Sequence, residues 1–182
     1  MTASTSIIIP HLTTERLLLR GWRANDEEPY LAMLADPEVM QFLGDGKPLA
    51  PADAWRAFAA LAGHWVIRGF GMWAVEERAT GTFVGRVGLL EPLGWPGLEI
   101  GYALDRKSWG RGFAREAAAA SLVYARDRLN RDEVISIIRP TNTRSIGVAT
   151  SLGAQPVESI DFLGGVATIY RYPPRDSSGI RQ

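Results

Sequence analysis

Cysteine is absent from the 182 residues, which removes disulfide cross-links, thiolate metal ligands and a cysteine nucleophile together. That fits a cytoplasmic protein. No apolar run approaches the roughly 18 to 20 residues a membrane span needs; even Ile7, Ile8 and Ile9 are stopped by Pro10 and His11. A soluble chain with no membrane partner is expected. A secretory leader would need a basic start and then about 7 to 15 apolar residues, whereas residues 1–6 are small and polar, so export is not expected. Net charge is missing as well: 20 basic and 20 acidic residues give a formal charge of +0. Nothing global draws a nucleic acid, and any anion site must be local. The two histidines, His11 and His64, lack metal-ligand spacing, so no metal is expected; His64 reads as a core or helix-surface residue. There is no internal repeat and no low-complexity segment.

What is present, 46% hydrophobic and 22% charged residues, suits one sizeable core. The chain reads as a single domain over 1–182, with its core at about 12–172 and a loose tail over 174–182. Leu17, Leu18 and Leu19 predict a buried strand near 14–21. Asn25 or Asp26 caps a helix carrying Tyr30, Leu31, Leu34 and Ala35, which Asp36-Pro37 closes. A second helix after Pro51 carries Trp55, Phe58, Ala59, Ala62 and Val66. The period then changes to strands over 72–76, 82–90 and 98–104. A helix with Ala114, Ala117, Ala118, Ser121, Leu122, Ala125 and Leu129 on one face runs to Asn130, its small residues allowing close approach to a sheet. A strand over 133–139, a short helix over 142–152 ended by Gly153, and strands over 157–160 and 166–172 around Gly164-Gly165 complete the chain.

The strand, Gly110-x-Gly112-x-Ala114, helix arrangement aims successive backbone N–H groups and the positive end of a helix at one place, where an anion fits. Glycine leaves the backbone bare for close approach. Around it Arg106, Lys107, Arg111 and Arg115 stand against Asp105 and Glu116, four positive charges minus two negative, or +2. The loop alone does not name its anion: a dinucleotide fold wants glycine where Arg115 stands, and the Gly-Lys-Ser/Thr ending of a P-loop is absent. A tight turn with no ligand is the remaining reading.

Joined to its neighbours the loop says more. Thr14-Glu15-Arg16-Leu17-Leu18-Leu19-Arg20, Glu99-Ile100-Gly101-Tyr102-Ala103-Leu104, Trp109-Gly110-Arg111-Gly112-Phe113-Ala114-Arg115-Glu116-Ala117, Asn142-Thr143-Arg144-Ser145 and Leu152-Gly153-Ala154 resemble, in order and spacing, the GNAT acetyltransferase superfamily. More narrowly they resemble its ribosomal-protein N-terminal (RimJ/RimL-like) branch. The resemblance implies an α/β fold with a mixed, mostly antiparallel sheet of about seven strands and about four helices, splayed between the fourth and fifth strands to admit acetyl-CoA. It implies that backbone amides of Arg111, Gly112, Phe113, Ala114, Arg115 and Glu116, with Gly110, hold the pyrophosphate. The main chain at Gly101, Tyr102, Ala103 and Leu104 would pair with the pantetheine, and Asn142 would bond to the cofactor as well as cap its helix. The wider superfamily often has Gln or Arg where Trp109 stands, which leaves that side chain without an assigned contact. Many relatives dimerise through C-terminal strands, so a homodimer is also implied.

An amine must be neutral to attack a thioester. At pH 7 an α-amine of pKa about 8 is neutral roughly a tenth of the time, against well under a thousandth for lysine. An N-terminal amine is therefore the easier acceptor. Strand alternation sets Glu99 on the face shared with the small residues Gly101 and Ala103, a carboxylate beside open space and a candidate general base. Glu91 and Glu76 are the weaker candidates, and pairing with one of the 18 arginines, Arg86 on the neighbouring strand among them, is the structural reading of Glu99. The resemblance points to Ser145 as the acid for the departing thiolate. With no cysteine, transfer is expected to be direct, without an acyl-enzyme. The other readings are acetylation of a small amine, such as an aminoglycoside, a polyamine or an amino-acid derivative, and a CoA-binding protein without turnover.

Overall fold

Leu17 and Leu19 are fully buried and Leu18 between them only partly so, the period of two that makes a strand with one face inward. The computed structural model describes residues 8–175; residues 1–7, and 176–182 of the expected tail, lie outside the described residues. Within them run β1 (Leu12–Thr13), β2 (Leu17–Arg20), β3 (Met72–Glu77), β4 (Thr82–Leu90), β5 (Leu98–Leu104), β6 (Val134–Ile138), β7 (Gln155–Phe162) and β8 (Gly165–Arg171). The helices are α1 (Glu27–Leu34), α2 (Pro37–Met40), α3 (Pro51–Arg68), α4 (Phe113–Asp127) and α5 (Thr143–Ser151).

All eight strands form one sheet in the order β1-β2-β3-β4-β5-β6-β8-β7. Every neighbouring pair is antiparallel except β5 with β6. That pair holds only the registers Leu98↔Val134 and Glu99↔Ile135 before the strands part, which is the splay expected between the fourth and fifth strands, renumbered because β1 precedes them. Ser136 Oγ reaches back across the opening to Ile100 O at 2.7 Å.

The small face of α4 works as its sequence predicts: Ala117, Ala118, Ser121 and Ala125 are all at 0% exposure, so the helix lies close on the sheet and shares a core with Val87, Leu89 and Ile100. On the other face Tyr30, Met33 and Leu61 from α1 and α3 pack with Met72 and Ala103. Two differences from expectation have local causes. Asp36-Pro37 both closes α1 and opens α2, because Asp36 Oδ1 accepts the Glu38 N–H at 2.9 Å and proline suits the first helical position. And α4 stops at Asp127, three residues short, with Asn130 in the left-handed region at φ 53.

Candidate active site

Gly110 and Gly112 take φ of 73° and 79°, left-handed values that a side chain resists. Gly112 is the N-cap of α4, so the turn delivers the helix's opening amides, which have no partner inside a helix. Among the described residues no acceptor takes the N–H of residues 110–115; bonding resumes with Glu116 N–H to Gly112 O at 3.1 Å. The local charge is less than the sequence balance of +2 indicates. Arg111 turns to Glu77 and Arg106 to Asp36 and Glu38, while Arg16 and Thr14 hold Glu116. Burial pushes the Glu116 carboxyl up, but these donors keep it below the ordinary range. From the turn, Gly110, Gly112, Phe113, Ala114 and the exposed Arg115 line the cavity. Trp109 acquires a role the sequence left open: its Nε1 donates to Leu104 O at 2.9 Å and Arg144 stacks on its ring at 4.0 Å.

Two chambers meet at the splay. The first, about 310 Å³, runs past Leu104, Trp109, Gly110, Gly112, Ala114 and Arg115. The second, about 350 Å³, contains Glu99, Arg86, Tyr30 and Trp95. Phe42, Leu43, Tyr102, Asn142 and Ser145 wall both. On the open edge of β5 the carbonyls of Ile100 and Leu104 are occupied by Ser136 and Trp109. Alternation aims the N–H and C=O of Tyr102 the same way, toward the junction of the two chambers.

Glu99 sits in the second chamber with both carboxylate oxygens addressed: Trp95 Nε1 donates to Oε2 at 2.5 Å and Ile137 N–H to Oε1 at 3.4 Å. The Ile137 amide lies on the β6 side of the splay. Burial pushes the carboxyl above its ordinary value; the two donors and the charge of Arg86 pull it partway back. The space expected beside Gly101 is partly filled, since Met72 Cε lies 3.0 Å from where a Cβ would stand. Glu76 is ion-paired to Arg20 at 2.7 Å, and Glu91 is paired to Arg131 at 2.7 Å, which holds its carboxyl low; neither has the freedom of a base. Asn142 caps α5, Oδ1 taking the Ser145 N–H at 3.1 Å. Tyr102 donates its hydroxyl to Ser145 O at 2.8 Å, and burial pushes that phenol up, so it stays protonated. The Tyr102 hydroxyl, Trp95 and Arg86 were not singled out for function by sequence reasoning. Their one signal is position, respectively three residues after Glu99, four before it, and on the strand beside it.

His64 is buried between α3 and the chain that follows, Nδ1 at 2.7 Å from Phe70 O and Nε2 accepting the Glu91 N–H at 3.2 Å. Among the described residues no group of three or more metal-binding side chains gathers. Burial lowers the His64 pKa below 6.5, and a proton on Nε2 would break the Glu91 bond. The unfolded chain therefore binds that proton first. Stability is full above pH about 6.5 and falls as pH drops toward the folded value. Thermal melts at pH 7.5 and 5.0 should show a larger drop for the wild type than for His64→Gln, each kcal/mol being about 2–4 °C at this size. Equal drops would free His64 of that part.

The acetyltransferase (GNAT) domain family matches residues 16–155. The protein YkkB of Bacillus subtilis (strain 168), itself uncharacterized, is 31% identical over 150 residues, 78% of this chain and 83% of its own length. The FsC-acetyl coenzyme A-N(2)-transacetylase of Aspergillus fumigatus is 30% identical over 160 residues, 82% of this chain and 67% of its own. The crystal structure of the acetyltransferase from Agrobacterium tumefaciens str. C58 superposes with a TM-score of 0.81 at 29% identity, covering 94% of this chain and 99% of that one.

Proposed function

The chain belongs to the GNAT acetyltransferase family, and on that premise we propose that it carries the acetyl group of acetyl-CoA to a primary amine, foremost a protein or peptide N-terminal amine of the kind the ribosomal-protein branch acetylates. The observation that carries this reading is the run of unpartnered amides at residues 110–115, opening on a chamber that ends at Glu99's. Backbone donors at a helix N-terminus suit a diphosphate, and the free Tyr102 peptide group suits an amide-bearing arm.

Glu99 receives the proton that the amine sheds on attacking the thioester carbonyl. Its raised pKa makes it a stronger base than a surface glutamate, and each oxygen keeps a lone pair beyond those used by Trp95 and Ile137. Ser145 and Tyr102, which wall both chambers, are the proton donors this reading offers the leaving thiolate: Ser145 by its hydroxyl and Tyr102 by a phenol that burial keeps in its neutral, protonated form. Asn142 and Trp109 hold the walls on which the pantetheine arm would lie.

An acceptor screen tests the reading: peptide N-termini, polyamines and aminoglycosides are offered with acetyl-CoA and free thiol is measured. Ionisation alone favours an α-amine over a lysine-type amine by about 10²-fold at pH 7, and peptides should lead. A polyamine or aminoglycoside that outpaces every peptide overturns the choice of acceptor. Absence of thiol release throughout overturns acetyl transfer.

A further inference from the structure

The second chamber holds a cation that the reaction above does not use. Arg86 lies on β4, paired in register with Ala103, while Glu99 pairs with Leu90; between them stands the pair Gly88↔Gly101, floored by Met72. Two-residue alternation sets Arg86 and Glu99 on one face of the sheet, and both line the same cavity. Yet they do not pair: among the described residues no carboxylate comes within 4.0 Å of Arg86, and its side chain makes no hydrogen bond. Its Nε is buried without a partner. The other guanidinium of this chamber, Arg139, is committed to the carbonyls of Val166 and Leu163 at 3.3 and 3.0 Å.

Arg86 as a whole is only partly buried, but its buried Nε–H is costly to leave without an acceptor. A ligand in the chamber that Arg86 lines can supply one, and a carboxylate matches the planar fork of arginine. Resting on the acetyltransferase reading, we infer that Arg86 is an acceptor-specificity residue: the amine is delivered to Glu99 by a molecule that also carries an acidic group, which Arg86 binds. Four residues of β5 separate the Arg86 register from Glu99, about 13 Å of strand before the side chains lean in. That span fits an acid on a residue following a free N-terminus better than one on the amine-bearing carbon itself.

The test uses full-length protein and two peptides identical except for Asp or Asn at the second position, with free aspartate and asparagine as small-molecule counterparts. Thiol release gives kcat/KM for each. The wild type should favour the acidic member by about 10- to 100-fold, the worth of one charge-assisted contact. Arg86→Gln should bring that ratio near one, Arg86→Lys should keep part of it, and Arg86→Glu should invert it. Calorimetry with CoA checks that each variant still folds and binds. A preference seen with peptides, or with free amino acids, supports the assignment and says which acceptor class carries the acid. If the wild type turns over both members equally, or if Arg86→Gln binds CoA and keeps the preference, the assignment to Arg86 fails while acetyl transfer stands. If no acceptor releases thiol, the acetyltransferase reading fails and takes this one with it.

Discussion

Glu99→Gln should lower kcat by about 10²–10⁴-fold, the range a positioned base supplies, with acetyl-CoA affinity by calorimetry close to that of the wild type. The substitution is nearly isosteric, and the Trp95 indole can still donate to the amide oxygen, so the chamber keeps its shape while the proton acceptor goes. The pH profile gives a second readout. Activity needs the carboxylate, so kcat/KM rises with pH, and burial places that acid limb above the value of about 4.3 for an unperturbed glutamate. The limb should vanish in the variant, leaving only the ionisation of the amine. Thiol release that survives the change at its full rate would remove Glu99 from the chemistry and leave its bonds to Trp95 and Ile137 as packing.

On the proposed reading Gly112→Val should weaken CoA binding by about 10²-fold or more, the loss of two charge-assisted backbone contacts to the diphosphate at about 1.5–3 kcal/mol each. Gly112 sits at φ 79° as the residue that opens α4. A β-branched side chain is an outlier there, and its Cβ would also meet Arg16 Nη2 at 3.4 Å. Relief of that strain would rotate the unpartnered amides of residues 110–115 away from the cavity they line. Gly112→Asn is the matched control, since asparagine tolerates left-handed backbone; it should cost less than about tenfold if backbone shape is what binds. Equal losses in both would mean that bulk over the cavity, not conformation, is the cause. Thermal melts distinguish either result from simple unfolding.

How much of this was legible before the structure follows from the kind of interaction involved. Short-range periodicity found what periodicity encodes: the alternation through β2 and β5, the alanine face of α4 and the glycine turn before it. β1 was missed because two residues, Leu12 and Thr13, are too few to show a period. α2 was missed because Asp36-Pro37 signals a helix start as readily as a stop. At the site, the place of Glu99 on the face of Gly101 and Ala103 was readable because those residues lie on the same strand. The partners that hold its carboxylate were not. Trp95 bends back through a loop, and Ile137 comes from β6, whose distance is set by the splay. Local charge misled for the same reason: Arg111 and Arg106 are balanced by Glu77, Asp36 and Glu38, residues far away in the chain.

The two-pair seam between β5 and β6 has a mechanical meaning. Apart from the two-residue edge strand β1, the sheet is joined elsewhere by longer ladders, so bending it inside either group breaks more bonds. At the seam, beyond Leu98↔Val134 and Glu99↔Ile135, the bridges come from side chains, such as Ser136 Oγ to Ile100 O. Compliance is concentrated along that line. The five strands before it and the three after it can pivot a little against each other, and widening of the gap needs no unravelling of either group.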